Sequence, residues 1–414
     1  MAFVAPAAAS SWPAPSCVRN TKGQACGPSN HSGAKLPFAA VTLLASTARR
    51  RSRVKRHDGA ETADRGLRLP PALQPDSERV VLVTGATCRL GAAFARQTAA
   101  SGQFHRFVLC GRDQRKGEQL AQDLRAVGVE ANFVAADLSR QCEVSRVHEQ
   151  LHDCPLQCAA LFAGVTAVQH REETADGLEL HFGLNYLSRF HIVTALLGNL
   201  QAAGSEESPA RVLLCGSSRH RGEPVLGFAG LGQALPAALG DLEDLQMTSH
   251  QAYRPWKAFG QAALCNIMFA YELQKRLREA NDRRVAAICF DPGPLTTAWD
   301  LYRQEENRWP AAGLADHERK FLGYFTRVVQ DPESAAALPT ALAASPLGAL
   351  PCRRPQVGLA NYWEQDLPAI SKFPFPWNMG TTYDEATWSA LWDCSEHLVR
   401  EAMRAHGAPN VTSS

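Results

Sequence analysis

The sequence lacks an apolar run long enough to cross a bilayer. Its N-terminal part carries a short apolar run, Pro37 to Ser46, about half of the roughly 20 residues that a spanning helix needs. At most a peripheral contact with membranes is therefore expected. There is also no Cys-x-x-Cys pair among the twelve cysteines. Cys110, Cys158, Cys215 and Cys289 sit inside short apolar stretches, where a thiol behaves as a small hydrophobe. Reduced thiols are expected, not a disulfide framework. His148, His152, Cys154 and Cys158 form one cluster of metal-ligand types, but Pro155 interrupts it and Cys158 belongs to the following apolar stretch. The better reading is a helix end running into a buried strand, with no metal.

Acidic residues are missing from one region only. The first 57 residues contain no Asp or Glu, yet they hold nine of the 43 Lys and Arg. The remainder, with all 41 acids, has a formal net charge of −7. A mildly acidic body gives no reason to expect nucleic-acid binding. The N-terminal stretch is rich in Ala, Ser and Pro and contains Arg49-Arg50-Arg51-Ser52-Arg53. That is the composition of an organelle transit peptide, with the plastid as first expectation and the mitochondrion as second. Residues 58–78, with Pro70-Pro71 and Pro75, read as a linker. Residues 79–404 read as one domain, and 405–414 as a tail.

The domain opens on its most informative stretch, Val80 to Gly91 (Val-Val-Leu-Val-Thr-Gly-Ala-Thr-Cys-Arg-Leu-Gly). Apolar, mostly β-branched residues ending at Thr84-Gly85 predict a buried parallel strand. Helical composition follows from Leu90. A strand, a glycine turn and a helix start form an anion site, because the helix N-terminus offers N–H groups to a pyrophosphate. The middle glycine of the usual fingerprint is absent, and Arg89 stands there. Its side chain either blocks a dinucleotide or swings out to pair with phosphate.

Further apolar stretches end in the same way. Phe107–Cys110 stops at Gly111-Arg112, and Phe133–Ala136 stops at Asp137-Leu138. Ala159–Phe162 stops at Ala163-Gly164, Val212–Cys215 at Gly216-Ser217, and Val285–Phe290 at Asp291-Pro292-Gly293. A seventh strand is expected over Gln356–Tyr362. Helical segments are expected between them, including one from about Gly177 to Gln201 and another from Gln261 to Arg278. Alternation at this spacing predicts a Rossmann-like, doubly wound α/β fold with a parallel sheet of about seven strands. A substrate-side insertion follows the fifth strand. Ligands should bind beyond the strands' C-terminal ends. Arg112 stands where an acid would bind a 2′-hydroxyl, so NADPH is expected over NADH.

This order of motifs resembles the short-chain dehydrogenase/reductase superfamily. Three further stretches resemble its light-dependent protochlorophyllide oxidoreductases: Thr174–Glu179, Leu239–Glu243, and Leu391–Val399 with its Trp-Asp-x-Ser-Glu. The resemblance implies NADPH, a tetrapyrrole substrate, and hydride transfer to a pigment double bond driven by light. It implies cofactor contacts from Thr84, Gly85, Arg89, Leu90, Gly91, Arg112, Asp137, Leu138, Ala163, Gly164, Pro292, Gly293 and Thr297. It assigns Asn185 and Ser217 to the catalytic set.

The superfamily's Tyr-x-x-x-Lys dyad is where the chain departs. Aligned without a gap, the family's Tyr falls on Phe259 and its Lys on Ala263. Asp291 and Pro294 likewise replace the family's Tyr and Cys around the Pro-Gly. Tyr253 and Lys257 reproduce the dyad's spacing six residues early, but Pro255 between them belongs before a helix or in its first turn. Both are expected to lie ahead of the helix. Three readings follow: a slow reductase of the protochlorophyllide type, a non-catalytic pigment- or nucleotide-binding relative, and a dehydrogenase of another substrate that uses Tyr253 and Lys257.

Overall fold

In the computed structural model, Val80 and Leu82 face one side of a sheet and Val81 and Val83 the other, all four buried. Such alternation with both sides covered is what a central parallel strand requires. The structure describes residues 78–151, 154–166, 168, 170–217, 220, 244–248, 253–293, 295, 330–346, 361–364 and 384–407. The basic N-terminal stretch, the Leu239–Glu243 motif, Pro294 and Thr297 lie outside these residues.

The sheet has seven strands: β1 Val80–Thr84, β2 Arg106–Gly111, β3 Glu130–Ala135, β4 Cys158–Leu161, β5 Ala210–Cys215, β6 Val285–Asp291 and β7 Asn361–Glu364. Their order is β3-β2-β1-β4-β5-β6-β7, and every pairing is parallel. The direction of strand addition reverses between β1 and β4. That reversal opens a crevice at the C-terminal edge, where such sheets bind ligands.

Helices α1 (Arg89–Ala100), α2 (Gln114–Ala126) and α7 (Pro332–Ala344) cover one face. On the other lie α3 (Gln141–Gln150), α4 (Ser188–Ala195), α5 (Leu197–Ala203), α6 (Pro255–Glu279) and α8 (Glu385–Ala405). Asp113, Asp331 and Asp384 cap α2, α7 and α8 by accepting from backbone N–H groups in the first turn, a contribution of about 1 kcal/mol each.

Two expectations are corrected. The segment from Gly177 to Gln201 is not one helix. It enters as a π-helix, His181–Leu187, before α4 and α5. Side chains take its backbone acceptors: Asn266 Nδ2 donates to the Asn185 carbonyl at 2.9 Å, and Ser188 Oγ to that of Leu184 at 2.7 Å. Wide turns of this kind often accompany functional sites. The next helix, α6, begins at Pro255 and not at Gln261, with proline in its first turn, where the missing N–H costs nothing.

The C-terminal motif is a packing device. Trp392 lies 5.0 Å from Phe190 and 5.7 Å from Phe269 between ring centroids, and the Arg276 guanidinium sits 4.3 Å over its ring. Ser395 Oγ is 2.7 Å from the buried Tyr186 hydroxyl. Next to Asn185 in sequence, Tyr186 thereby ties the π-helix to α8.

Candidate active site

The turn after β1 is built for close approach. Gly85 has a φ of 67°, and a Cβ there would lie 2.6 Å from the Ala163 nitrogen. A Cβ on Gly91 would lie 2.4 Å from the Gly85 carbonyl oxygen. Both positions therefore exclude any side chain, which lets α1 start directly above β1. Thr84, buried at the strand end, accepts from the Ala163 N–H through Oγ1 at 3.3 Å. Cys88 caps α1, its Sγ accepting from Gly91 N at 3.2 Å. Leu90 is buried beneath the turn, while Arg89, the first residue of α1, is exposed with no partner among the described residues.

Arg112 follows β2 directly and is likewise exposed, whereas neighbouring Lys116 pairs with Asp113 at 3.4 Å. Beyond β3, Asp137 Oδ1 accepts from Ser139 N at 3.1 Å and Ser139 Oγ at 2.8 Å, and Leu138 is buried. Ala163 and Gly164 follow β4, Ser217 lies two residues past β5, and Pro292 and Gly293 follow β6. Gly293 N donates to Asp291 Oδ1 at 2.9 Å. The topology thus collects these predicted residues along the C-terminal edge.

Asn185 is committed to the loop after β4. Its Oδ1 accepts from Val165 N and its Nδ2 donates to the Val165 carbonyl, each at 2.8 Å. Its own carbonyl is taken by Asn266, whose Nδ2 also donates to Ala262 O at 2.7 Å.

Phe259 and Ala263 are one turn apart on α6, so they share a face. The Phe259 ring is edge-on to His181, 6.2 Å between centroids, and Ala263 is buried. Tyr253 lies ahead of α6 as expected, but Lys257 does not: it sits in the first turn, because the helix begins at Pro255.

Nothing local in the sequence marks what Tyr253 does. Its hydroxyl donates to Glu179 Oε1 at 3.0 Å and lies 3.1 Å from His181 Nδ1. His181 Nδ1 is 2.8 Å from the same Glu179 oxygen, and Glu179 Oε2 accepts from Phe182 N at 2.8 Å. Since His181 Nε2 accepts from Val168 N at 3.2 Å, the imidazole proton belongs on Nδ1, facing the carboxylate. Burial pushes the Glu179 carboxyl up, but the bonds from His181 and Phe182 outweigh it and hold the group below its usual range. Burial, and then the Glu179 charge, push the Tyr253 phenol well above its ordinary value.

A second feature without a sequence signal is Arg189. It is 4% exposed on α4, against the ends of β4 and β5. One guanidinium nitrogen donates to the Cys215 carbonyl and lies 3.3 Å from Asn266 Oδ1, and the other donates to the Ala163 carbonyl at 2.8 Å. Among the described residues, no group of three or more His, Cys, Asp or Glu is placed to hold a metal.

The profile of the short chain dehydrogenase family matches residues 79–221. Mouse polyprenol dehydrogenase is 32% identical over 286 residues, 68% of this chain and 76% of the relative. The chain belongs to the short-chain dehydrogenase family. As a member it is an oxidoreductase by descent, with a nicotinamide cofactor. Chloroplastic protochlorophyllide reductase B of barley is 28% identical over 236 residues, 54% of this chain and 58% of the relative. A solved protein of Mycobacterium paratuberculosis shares the fold with a TM-score of 0.51 and 23% identity, covering 81% of this chain and 96% of that one.

Proposed function

We propose that this short-chain dehydrogenase binds NADPH along the C-terminal edge of its sheet and transfers hydride to a large apolar substrate. The proton step is not run by a phenol–ammonium dyad. The observation that carries the reading is the edge itself: a turn too tight for any side chain at Gly85 and Gly91, with Arg89 and Arg112 exposed on either side. Arg89 leaves the backbone clear and can turn its charge to the pyrophosphate at the helix N-terminus. Arg112 can receive the 2′-phosphate. Ala163, Gly164, Pro292 and Gly293 would line the nicotinamide half. NADPH, when bound, supplies the hydride.

The residues then divide the work. Asn185 fixes the loop carrying Ala163 and Gly164, and Ser217 offers a hydroxyl near the reacting atoms. Phe259 has no proton to give, and Ala263 has no charge. Tyr253 is tied to Glu179 and His181. Solvent or substrate-borne groups must deliver the proton. A hydride step driven by light on a tetrapyrrole depends least on the missing phenol, which supports the protochlorophyllide-type reading. The similarity to mouse polyprenol dehydrogenase supports a long isoprenoid alcohol or aldehyde instead. The acid-free N-terminus supports a plastid address.

One experiment separates these readings. Purified protein is titrated with NADPH by fluorescence, then supplied with a long-chain isoprenoid aldehyde in the dark or with protochlorophyllide under illumination. Chlorophyllide formed only in light supports the pigment reading, and dark NADPH oxidation supports the isoprenoid one. NADPH binding with neither turnover favours a binding protein. Absence of NADPH binding contradicts the proposal.

A further inference from the structure

Among the described residues Arg189 is a buried cation with no carboxylate partner: its guanidinium is held by the Ala163 and Cys215 carbonyls and the Asn266 amide oxygen. Its Nε is buried with no hydrogen-bond partner. Burial lowers its pKa from the ordinary arginine value, and a guanidinium in a protein keeps its charge. An isolated charge held out of water is costly unless something compensates it. The two carbonyls are partial compensation.

Its place in the fold matters more. Open sheets of this kind bind a dinucleotide in two halves about the reversal in strand order, one half over β1–β3 and the other over β4–β6. Arg189 bridges the residues that end β4 and β5. It therefore lies beneath the start of the second half, held to the Ala163 and Cys215 carbonyls and within electrostatic reach of Cys88 in the first turn. A Cβ on exposed Gly164 would come within 3.4 Å of one guanidinium nitrogen, so the charge sits just under the surface of the groove.

We infer that Arg189 biases the site toward the reduced nicotinamide. The inference rests on the proposed NADPH reading. The oxidised ring carries a positive charge and the reduced ring is neutral. A fixed cation under that half repels the first and leaves the second untouched, and low dielectric strengthens the difference. The site then holds NADPH and releases NADP⁺, which suits a reductase.

The test is the ratio of NADPH to NADP⁺ affinity, measured by fluorescence and calorimetric titration. Wild type should bind NADPH at least tenfold tighter. Arg189→Lys should keep most of that ratio, and Arg189→Gln should bring it to within about threefold. Asn266→Asp places a carboxylate where an amide oxygen now lies 3.3 Å from the guanidinium, and should collapse the ratio as well. This variant preserves the measurement if Arg189→Gln does not fold. Equal affinities in wild type, or a ratio unmoved by Asn266→Asp, overturn the inference while leaving NADPH binding intact. If wild type binds neither form, the functional reading fails with it.

Discussion

The Tyr253 hydroxyl donates to Glu179 Oε1 at 3.0 Å, across 74 residues of sequence, and this contact argues against the Tyr-x-x-x-Lys spacing of Tyr253 and Lys257 as the working dyad. A catalytic phenol must be free to exchange its proton with substrate, and neighbouring charge must lower its pKa. Here the neighbour is a carboxylate and the shift is upward. Tyr253→Phe and Lys257→Met should leave any turnover within about threefold of wild type. Tyr253→Phe should still cost stability of about 1 kcal/mol, because a buried hydrogen bond is lost. Steady-state kinetics beside chemical denaturation separates the two effects. A hundredfold loss of kcat in Tyr253→Phe would return the dyad to these residues.

Arg112 should set cofactor choice. It is exposed at the tip of β2 and has no ion-pair partner among the described residues, unlike Lys116 beside it. Wild type should prefer NADPH over NADH, and Arg112→Ala should lose at least tenfold in NADPH affinity, about 1.4 kcal/mol, with NADH unchanged. Equal affinities for the two cofactors in wild type would contradict the assignment.

Arg89 should help and not obstruct. Its side chain is exposed at the N-terminus of α1, where anions are favoured. Arg89→Gly, which restores the usual glycine, should weaken NADPH binding and flatten its salt dependence. Tighter binding in that variant would show that the arginine blocks the groove.

His191 makes stability depend on pH. It is buried on α4, with Nδ1 3.1 Å from Gln141 Oε1. Burial, and then the nearby His148 charge, lower its pKa to about 4, while Asp176 opposes the shift. The folded state therefore holds it neutral where the unfolded chain would protonate it. The contribution is full above an unfolded pKa of about 6.5 and is lost as pH falls toward the folded value. Between about pH 7.5 and 5, His191→Gln should lose about 2 kcal/mol less stability than wild type. Parallel slopes in denaturation at the two pH values would contradict this.

The sheet was legible because its strands are short, apolar and punctuated by glycine at their ends. Val80–Thr84, Phe107–Cys110 and Val212–Cys215 lie within one or two residues of the observed strands. Of the strand expected at 356–362, residues 356–360 lie outside the described residues, and β7 is found at Asn361–Glu364. The start of α6 was missed by six residues because Tyr253 to Gly260 mixes aromatic, charged and proline residues without an apolar period. The site's polar wiring was illegible for another reason. Glu179 meets Tyr253, and Arg189 meets Cys215 and Asn266, only through the crossover connections, so nothing local marks these residues. Arg189 looks in sequence like an ordinary surface charge within a helical stretch.

The most direct test of the account restores what the helix face lacks. Phe259→Tyr with Ala263→Lys puts a phenol and an ammonium group at i and i+4 on one face of α6. Both are needed, since a phenol without a neighbouring cation keeps a pKa near about 10. The measurement is single-turnover substrate reduction with NADPH saturating, comparing wild type with the double variant. The account predicts a gain of about a hundredfold or more, the usual worth of a positioned general acid. No gain in the double variant, together with wild-type activity that collapses in Tyr253→Phe, would show that the working dyad lies ahead of the positions assigned to it.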